Sequence, residues 1–402
     1  MKVLTDPKKI KELLTRGVDE VVVLKNLEAK LKSGKQLRVK HGVDPTTPDL
    51  HLGYSVVYRK LRVFQELGHK IIFLIGGFTA RFGDPTARLE TRMLREKKEV
   101  AEMAKNYLGQ AGKILDMTAV EVRDNSEWYD SMSAEELLRL LSEFTKAQME
   151  ERDMFREREK AGLEVRLHEL TYPALQGYDS VMLKSDLTVV GSDQLFNELQ
   201  ARPLQKSRRQ IPQDVMTMKL LIGTDGTRKM SQSLGNFIGL TEKAESQYGK
   251  IMSIPDSLIL QYFELCTDRP MEEIKTMAVA MKKGANPADF KARLARSIVE
   301  MYHGPAAARS AEKHFDTLFR AHELPAEISE ARVRKDRWNI AELLVETKLA
   351  SSKSEARRLI DQGGIKADGH VLEDAAAEIL IPIQGSLVLQ RGKRQFMRVR
   401  RG

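Results

Sequence analysis

Residues 37–54, LRVKHGVDPTTPDLHLGY, place a strand, a sharp turn and the start of a helix in one short stretch. The β-prone apolar run stops at Asp44-Pro45, and a polar, proline-broken turn follows. A long segment with helical periodicity then opens at His51. Its first turn contains Gly53, which lets a ligand approach the backbone, and the free N–H groups there favour phosphate. The stretch therefore predicts a nucleotide-binding site.

The segments that follow predict a parallel sheet. The helix from His51 ends near Gly68, and 70–75 is an apolar strand that ends at a glycine pair. A strand, a helix and a strand in about 40 residues form a βαβ unit with a right-handed crossover. Further apolar strands are predicted at 120–122, 187–190 and 216–222. The first region is thus predicted to be an α/β, Rossmann-like parallel-sheet domain.

Changes in composition divide the 402 residues into three predicted domains. Residues 1–238 form the Rossmann-like domain, which carries a charged helical insertion at about 126–165 and has a second helix predicted near 20–33. Residues 239–330 are predicted to be all-helical. Residues 331–402 comprise a charged linker, 331–337, and a small C-terminal α+β domain with a basic end.

The composition excludes several classes of protein. An apolar content of 42% with 31% charged residues is typical of globular chains, and no apolar run reaches the roughly 18 residues of a membrane span. The N-terminus lacks the apolar core of a signal peptide. The single cysteine, Cys266, excludes an intramolecular disulfide and favours a reducing compartment, the cytoplasm. The net charge of +9 alone is weak support for a polyanionic partner.

Two segments of the first domain indicate a function only when they are considered together. His51 alone is adequately explained as a helix cap, and 229–233, KMSQS, alone as a mobile surface loop. In this order across a parallel-sheet domain, they supply what a nucleoside triphosphate needs. A helix N-terminus binds the phosphates, and a mobile cation closes over the leaving pyrophosphate.

These two segments resemble the signatures of class I aminoacyl-tRNA synthetases. Five islands in the family's order, spread over nearly the whole chain, narrow the resemblance to tyrosyl-tRNA synthetases of the bacterial type: GVDPTTPDLHLGY, GDPTARLETR, YPALQGYDS, GSDQLFN and RKMSQSLGN. The resemblance implies that ATP and L-tyrosine give tyrosyl-adenylate and pyrophosphate, and that tRNA(Tyr) then takes the tyrosyl group at its 3′-terminal adenosine. It implies Mg²⁺ bound through the ATP phosphates, no metal site of the protein itself, an anticodon-side role for the all-helical domain, and a homodimer formed through the insertion.

The resemblance also implies roles for individual residues. The pair that grips the departing pyrophosphate is Thr46 and His51, and Lys229 and Arg88 complete the catalytic set, with Arg92 beside them. The remaining ATP contacts are His41, Asp44, Gly53, Tyr54, Asp193, Met230, Ser231, Gln232 and Ser233. The bland alternative for the two arginines is a pair of solvated loop charges.

Tyrosine recognition follows from the same resemblance. The implied contacts are Lys40, Asp84, Tyr172, Gln176, Asp179 and Gln194. An ammonium group needs an acid and hydrogen-bond acceptors, which Asp84, Tyr172 and Gln176 supply, and Gln194 matches a position near the carboxylate. Asp179 matches the residue that reads the phenolic hydroxyl, where phenylalanine would leave it unpaired.

The C-terminal domain resembles a small RNA-binding domain first described in a ribosomal small-subunit protein. The implied phosphate contacts are Lys353, Arg357, Arg358, Arg398 and Arg400. The alternative is a basic tail that only increases solubility.

Three positions depart from the family. Tyr54 stands where the first signature usually has histidine, Gln232 where the second usually has lysine, and Lys40 where many members have a tyrosine that helps to read the substrate hydroxyl. Two other functions therefore stay open: a diverged paralogue that forms adenylates without charging tRNA, and a non-catalytic RNA-binding chaperone or splicing factor. Against loss of the amino-acid pocket stand six polar residues aimed into it: Asp84, Tyr172, Gln176, Asp179, Asp193 and Gln194.

Overall fold

The computed structural model describes residues 2–84, 94–151, 153–319, 328–382, 386–392 and 395–402. The chain forms two compact units, residues 1–308 and 309–402. Each unit is built around its own sheet.

The described residues of the first unit contain a six-stranded sheet. Its strands are β1 (Val18–Val22), β2 (Arg38–Val43), β3 (Lys70–Ile75), β4 (Glu121–Asp124), β5 (Leu187–Gly191) and β6 (Asp214–Met218). Their order across the sheet is β1-β6-β5-β2-β3-β4. All neighbours are parallel except β1, which runs antiparallel to β6. The α/β, Rossmann-like fold expected from the sequence is confirmed.

The predicted βαβ unit lies at the centre of this sheet. Strands β2 and β3 pair in parallel register from Arg38 opposite Lys70 to Val43 opposite Ile75. The connecting helix, Leu52–Glu66, buries its apolar face, and Leu61 and Phe64 are fully shielded from solvent. Burial of such side chains contributes about 1.5–3 kcal/mol each, which anchors the helix N-terminus at the end of β2.

The strand order reverses between β2 and β5. From β2 the chain continues outward to β3 and β4, whereas β5 leads outward in the other direction to β6. In an open parallel sheet this point leaves a crevice at the carboxyl ends of the two strands, because the following connections diverge. The fold thus creates a ligand crevice where Asp44 and Ser192 follow β2 and β5.

Helices surround the first sheet and continue beyond it. Those up to β6 are α1 (Pro7–Thr15), α2 (Leu24–Lys32), α3 (Leu52–Glu66), α4 (Thr79–Phe82), α5 (Lys97–Ala111), α6 (Ser126–Tyr129), α7 (Ala134–Leu141), α8 (Lys146–Glu150), α9 (Asp153–Lys160), α10 (Leu167–Leu183), α11 (Leu195–Leu199) and α12 (Ala201–Ser207). The helical stretch after β6 contains α13 (Ala244–Met252), α14 (Ile259–Cys266), α15 (Met271–Lys282), α16 (Pro287–His303) and α17 (Pro305–Phe319).

Two local predictions in the first unit have wrong bounds. The helix predicted near 20–33 is α2, but it begins only at Leu24, because residues 18–22 form strand β1, whose β-branched valines pair with the edge of β6. The strand predicted at 216–222 ends at Met218. Beyond it, the backbone of Leu221 accepts a hydrogen bond from the N–H of Met230 and so leaves the sheet to support the second signature loop.

The second unit contains a small α+β domain. Its strands are β7 (Ser329–Val333), β8 (Arg337–Asn339), β9 (Ile365–Ala367), β10 (His370–Val371), β11 (Glu378–Leu380), β12 (Leu387–Arg391) and β13 (Gln395–Arg401), and its helices are α18 (Ile340–Glu346) and α19 (Lys353–Asp361). Leu343, Leu344 and Ile360 pack with Ile365 and Leu389 in its core.

The prediction of a charged linker at 331–337 is wrong at both of its ends, because β7 extends to Val333 and β8 begins at Arg337. Residues 329–333 form β7, which pairs in parallel with β13. Arg332 is exposed while Val333 is 2% exposed, so the charged side chains lie outside a strand whose backbone is paired. A run of charges hid the period of two that would have indicated a strand.

Candidate active site

A cavity of about 280 Å³ opens at the carboxyl ends of β2 and β5. Its wall contains every ATP- and tyrosine-site residue predicted from the sequence whose position is described. These are Lys40, His41, Asp44, Thr46, His51, Gly53, Tyr54, Asp84, Tyr172, Gln176, Asp179, Asp193, Gln194, Lys229, Met230, Ser231, Gln232 and Ser233. Arg88 and Arg92 lie outside the described residues. Segments far apart in sequence therefore converge on one cavity.

His51 serves both as a helix cap and as a hydrogen-bond donor. Its Nδ1 accepts a hydrogen bond from the N–H of Gly53 at 3.1 Å, at the start of α3. Burial lowers the pKa of His51 to about 4, and the Lys229 cation acts in the same direction, so the ring is neutral near pH 7. A neutral ring that accepts at Nδ1 carries its hydrogen on Nε2. The cap thus fixes the tautomer that can donate to a phosphate oxygen.

Gly53 is required by His51 as well as by a ligand. A Cβ at position 53 would lie 2.8 Å from Cε1 and 2.9 Å from Nδ1 of the His51 ring. Real Cβ atoms do not approach other heavy atoms so closely, so a larger residue would displace the imidazole.

The second signature loop reaches across the cavity. The Lys229 ammonium lies 2.5 Å from Oδ2 of Asp193, which follows β5. The loop backbone is held by Asn236, whose Oδ1 accepts from the N–H of Ser231 at 2.8 Å. The Gln232 amide donates to the carbonyl oxygen of Asp49 at 2.5 Å, so the loop also touches the turn before α3. The two signatures therefore face each other over one nucleotide-sized site.

Comparison with known proteins decides the family. Residues 32–320, which include the βαβ unit and both signatures, match the family model described as tRNA synthetases class I (W and Y). The chain belongs to this family. Residues 321–399 match a second model, the tyrosine–tRNA ligase SYY-like C-terminal domain.

Curated relatives of this synthetase are similar over their whole length. The chain is 46% identical to the tyrosine–tRNA ligase of Thermotoga maritima, over 98% of both chains. It is 45% identical to the tyrosine–tRNA ligase of Moorella thermoacetica, over 96% of this chain and 94% of that one.

Solved structures support the fold. A C-terminally truncated mitochondrial tyrosyl-tRNA synthetase of Aspergillus nidulans superposes with a TM-score of 0.64 at 23% identity, over 77% of this chain and 94% of that one. The tyrosyl-tRNA synthetase of Archaeoglobus fulgidus, solved with L-tyrosine, gives 0.62 at 23% identity, over 76% and 99% of the two chains. At these identities the similarity shows the fold alone.

In this synthetase, Asp44 and Tyr172 form part of one hydrogen-bonded cluster. The Tyr172 hydroxyl donates to Oδ2 of Asp44 at 2.8 Å, and the Thr79 hydroxyl donates to Oδ1 at 2.8 Å. Nearby, Oδ2 of Asp84 accepts from the Gln194 amide at 2.7 Å. The structure thus brings Asp44, predicted for ATP, directly beside a predicted tyrosine contact.

Asp179 lies in a buried pocket with two donors that sequence reasoning missed. The Trp128 indole donates to Oδ1 at 3.1 Å, and the Asn125 amide approaches Oδ2 at 3.4 Å. Burial raises the pKa of Asp179 to about 7, while the nearby Lys40 cation and these donors lower it. Asn125 directly follows β4, and a polar residue at the carboxyl end of a parallel strand was an available signal.

The raised pKa of Asp179 predicts pH-dependent tyrosine binding. The phenol donates best to the ionised carboxylate, so binding weakens as the pH falls through about 7. If only the ionised form binds, affinity at pH 6 is about tenfold lower than at pH 8. Titration calorimetry with tyrosine alone measures this. His41 and His51 titrate near pH 4, outside this window. Asp179→Asn should remove the dependence, and a wild-type protein with constant affinity would contradict it.

Lys40 lies in the cavity wall close enough to act on Asp179, but its ammonium is bound to other protein groups. The side chain is 1% exposed, and its ammonium donates to the Ser180 hydroxyl at 2.7 Å and to Oε2 of Glu198 at 2.8 Å. Glu198 was not predicted from the sequence, although an acid between apolar residues, in the segment LFNEL, was a signal. The cation is therefore largely committed to protein partners.

His41 carries its hydrogen on Nδ1, the nitrogen that faces strand β5. Its Nδ1 lies 2.9 Å from the carbonyl oxygen of Val189, which can only accept, so Nδ1 is the donor. Burial lowers the pKa of His41 to about 4. Its ring packs edge-on against Tyr58 and Phe73, which leaves Nε2 as a buried acceptor in the cavity wall.

Tyr54 is tied into an aromatic cluster. Its ring centroid lies 4.6 Å from that of His51, and its hydroxyl is hydrogen-bonded to Tyr107. The Tyr107 hydroxyl in turn lies 2.8 Å from the Thr47 hydroxyl. The tyrosine that replaces the usual signature histidine therefore braces the His51 ring and lines the cavity.

The predicted RNA contacts lie at the surface of the second unit. Arg357 and Arg358 are exposed on α19, and Arg398 and Arg400 lie two residues apart on β13. Lys353 is exposed and donates to Glu342 at 2.6 Å. The exposed face of α19 thus presents Arg357 and Arg358 to solvent, while Ala356 and Ile360 on its other face are buried in the core.

Within the described residues, no helix combines the length and apolar character needed to cross a membrane.

Proposed function

We propose that this chain activates L-tyrosine with ATP and transfers the tyrosyl group to tRNA(Tyr). One observation carries the proposal. A single cavity joins the two phosphate-directed groups, His51 and Lys229, to a polar set suited to tyrosine, with Asp84 for the ammonium and Asp179 for the phenol. Full-length similarity to tyrosine–tRNA ligases of bacteria supports the same function.

In the first step, a carboxylate oxygen of tyrosine attacks the α-phosphorus of ATP. A new C–O–P link forms, the bond from the α-phosphorus to the bridging oxygen breaks, and pyrophosphate leaves with both electrons. In this proposal Nε2–H of His51, the Thr46 hydroxyl and the Lys229 cation stabilise the charge on the leaving group. Catalysis needs only positioning and such contacts, which strengthen as charge moves.

In the second step, the terminal ribose hydroxyl of tRNA attacks the tyrosyl carbonyl carbon. The bond from that carbon to the phosphate oxygen breaks, and AMP leaves as the hydroxyl loses its proton.

Before the first step, Lys229 must exchange its ion pair with Asp193 for a phosphate, which frees the Asp193 carboxylate to accept from the ATP ribose. The loop contact therefore links ribose binding to cation release.

We propose that Mg²⁺ arrives with ATP. Within the described residues there is no group of three or more His, Cys, Asp or Glu side chains that could hold a metal ion. The phosphates themselves supply the oxygen ligands that Mg²⁺ prefers, and the ion would neutralise part of their charge.

We also propose a homodimer formed through the helical insertion. Leu167 is 82% exposed, and Leu138 and Leu163 are exposed in the same region of the chain. Exposed leucines in and beside the insertion supply apolar surface that a partner subunit could cover. Because the lone cysteine, Cys266, is buried and free, the reducing cytoplasm is the proposed compartment.

Two measurements test the function. Exchange of labelled pyrophosphate into ATP should require tyrosine among the amino acids, and tRNA(Tyr) should then be charged. Exchange with no amino acid would overturn the enzyme proposal and leave the RNA-binding alternative. Exchange with tyrosine but without charging would favour the diverged paralogue.

Restoring the family's lysine at position 232 should accelerate adenylate formation. Gln232→Lys exchanges a neutral donor for a charged one beside the phosphates, a gain of about 1 kcal/mol or about fivefold in rate. Single-turnover kinetics with ATP and tyrosine measure this. Thr227→Lys, which adds the same charge at an exposed loop position, is the control. Equal rates in all three proteins would show that Gln232 lies away from the leaving group.

Removing the α19 cations should weaken tRNA binding without affecting adenylate formation. Arg357→Ala/Arg358→Ala should lower the magnitude of the slope of log affinity against log salt by about 1 to 2. Each phosphate contact that is lost means that binding releases about one counterion fewer. Filter binding at several salt concentrations measures the slope. Lys8→Ala/Lys11→Ala removes two exposed cations from α1 as a charge-matched control. An unchanged slope would support the solubility role of the tail.

A further inference from the structure

We infer that Glu198 is a positioning residue that fixes the amide of Gln176 so that its carbonyl oxygen is available to the ammonium group of tyrosine. The inference rests on the proposed function, in which Gln176 contacts that ammonium. Glu198 itself lies one layer behind Gln176 and reaches the substrate only through it.

The Glu198 carboxylate is buried and fully engaged. It is 1% exposed, and its Oε1 accepts from the Gln176 amide nitrogen at 2.8 Å. Its Oε2 accepts from the Lys40 ammonium at 2.8 Å and from the Gln213 amide at 3.1 Å. Because an ionised carboxylate only accepts, Gln176 must present its NH₂ group to Glu198. Its carbonyl oxygen is thereby turned the other way.

Lys40 forms a buried ion pair with this carboxylate, at 2.8 Å. The ammonium is 1% exposed, only donates, and also bonds to the Ser180 hydroxyl at 2.7 Å. A buried carboxylate without such a partner would take up a proton and could then donate as well as accept. The ion pair with Lys40 therefore removes the alternative in which Gln176 is turned over.

Hydrogen bonds among side-chain amides fix the same orientation of the Gln176 amide from the side of its carbonyl oxygen. Asn197 donates its NH₂ to the carbonyl oxygens of both Gln176, at 2.8 Å, and Gln194, at 3.1 Å. Gln194 in turn gives its NH₂ to Asp84 at 2.7 Å. Carboxylates thus take the NH₂ groups at both ends of this series of amides, Glu198 at one and Asp84 at the other. A turned Gln176 would face donor with donor at Asn197 and acceptor with acceptor at Glu198.

This orientation of Gln176 lets its carbonyl oxygen accept a hydrogen bond from the substrate. A carbonyl oxygen has two lone pairs, and Asn197 uses one. The second is available in the cavity wall for the ammonium of tyrosine. A Gln176 that presented NH₂ there would repel the ammonium, so residue 198 sets recognition of the amino group.

Two double variants that share one substitution isolate position 198. Lys40→Met/Glu198→Leu replaces the pair by apolar groups, which is often neutral for stability. Lys40→Met/Glu198→Gln restores an acceptor for Gln176 without burying a lone charge. In pyrophosphate exchange, KM for tyrosine should be about tenfold higher in the leucine variant than in the glutamine variant, as expected for one lost hydrogen bond. KM for ATP should be equal in the two proteins.

A ligand without an amino group separates positioning from general damage. The inhibition constant of 3-(4-hydroxyphenyl)propanoate should be the same in both double variants, because it has no ammonium to read. Equal KM values for tyrosine would overturn the inference, and so would parallel changes for tyrosine and the inhibitor. Should the leucine variant fail to fold, Lys40→Met/Glu198→Ala, which also lacks an acceptor at position 198, is compared with Lys40→Met/Glu198→Gln by the same two ligands and decides in the same way. Absence of tyrosine-dependent exchange in the wild type would overturn the proposed function instead.

Discussion

Replacing His51 by alanine should lower the rate of tyrosyl-adenylate formation by about 10²–10³-fold, the usual effect of removing one preorganised donor at a developing charge. The neutral ring holds its hydrogen on Nε2, because burial lowers its pKa to about 4 and Nδ1 accepts from Gly53. That hydrogen is available to the departing pyrophosphate. The equilibrium affinity for tyrosine should not change, since the amino-acid contacts lie on other residues. Single-turnover kinetics and tyrosine titration measure the two quantities.

The helix cap is the competing explanation for a loss of rate, because His51 also begins α3. His51→Asp separates the two roles. Aspartate is a preferred cap that accepts from the same N–H groups, so the melting temperature should be at least that of the alanine variant. Its charge would repel the phosphates, so its rate should be lower than that of the alanine variant. A His51→Asp protein with wild-type rate would show that capping is all that His51 does.

Replacing Asp179 by alanine should abolish most of the preference for tyrosine over phenylalanine. A hydrogen bond to a charged acceptor contributes about 1.5–3 kcal/mol, so kcat/KM for tyrosine should fall by about 10- to 150-fold. The value for phenylalanine should fall much less, because its ring never used the carboxylate. The Trp128 and Asn125 donors would lose their acceptor in the same substitution. Pyrophosphate exchange with each amino acid gives both values.

The isosteric variant Asp179→Asn serves as the control for this experiment. It keeps the shape and one carbonyl acceptor, so tyrosine should lose less in this protein than in the alanine variant. The amide must, however, be shared between the Trp128 donor and the phenol. An alanine variant that still strongly preferred tyrosine would show that another group reads the hydroxyl, and Lys40 would be the first to examine.

The sequence predicted the structure well where a binding motif coincides with the end of a strand or the start of a helix. The βαβ unit followed from an apolar strand, a proline turn and a helix start, and β2 and β3 pair in the expected parallel register. The two signature segments lie on the wall of one cavity, as their order suggested. The sequence was less informative where a pattern was ambiguous. The valines of 18–22 suit either a helix or an edge strand, and only the free edge of β6 decided between them.

The sequence by itself predicted which residues line the cavity, because the motifs that contain them could be recognised without the fold. Asp44 follows a strand and Gly53 opens a helix, whereas Lys40 lies within β2 and the segment 172–179 lies within α10. The sequence could not determine how those residues are paired. It could not tell whether Lys40 donates to the phenol or points elsewhere, and in the structure its ammonium is held by Ser180 and Glu198, 140 and 158 positions along the chain. A hydrogen bond depends on positions within a few tenths of an ångström, which only the packed tertiary structure fixes. The stretch 37–54 therefore predicted a nucleotide site at this end of the sheet, and the folded chain decided which group orients each of its neighbours.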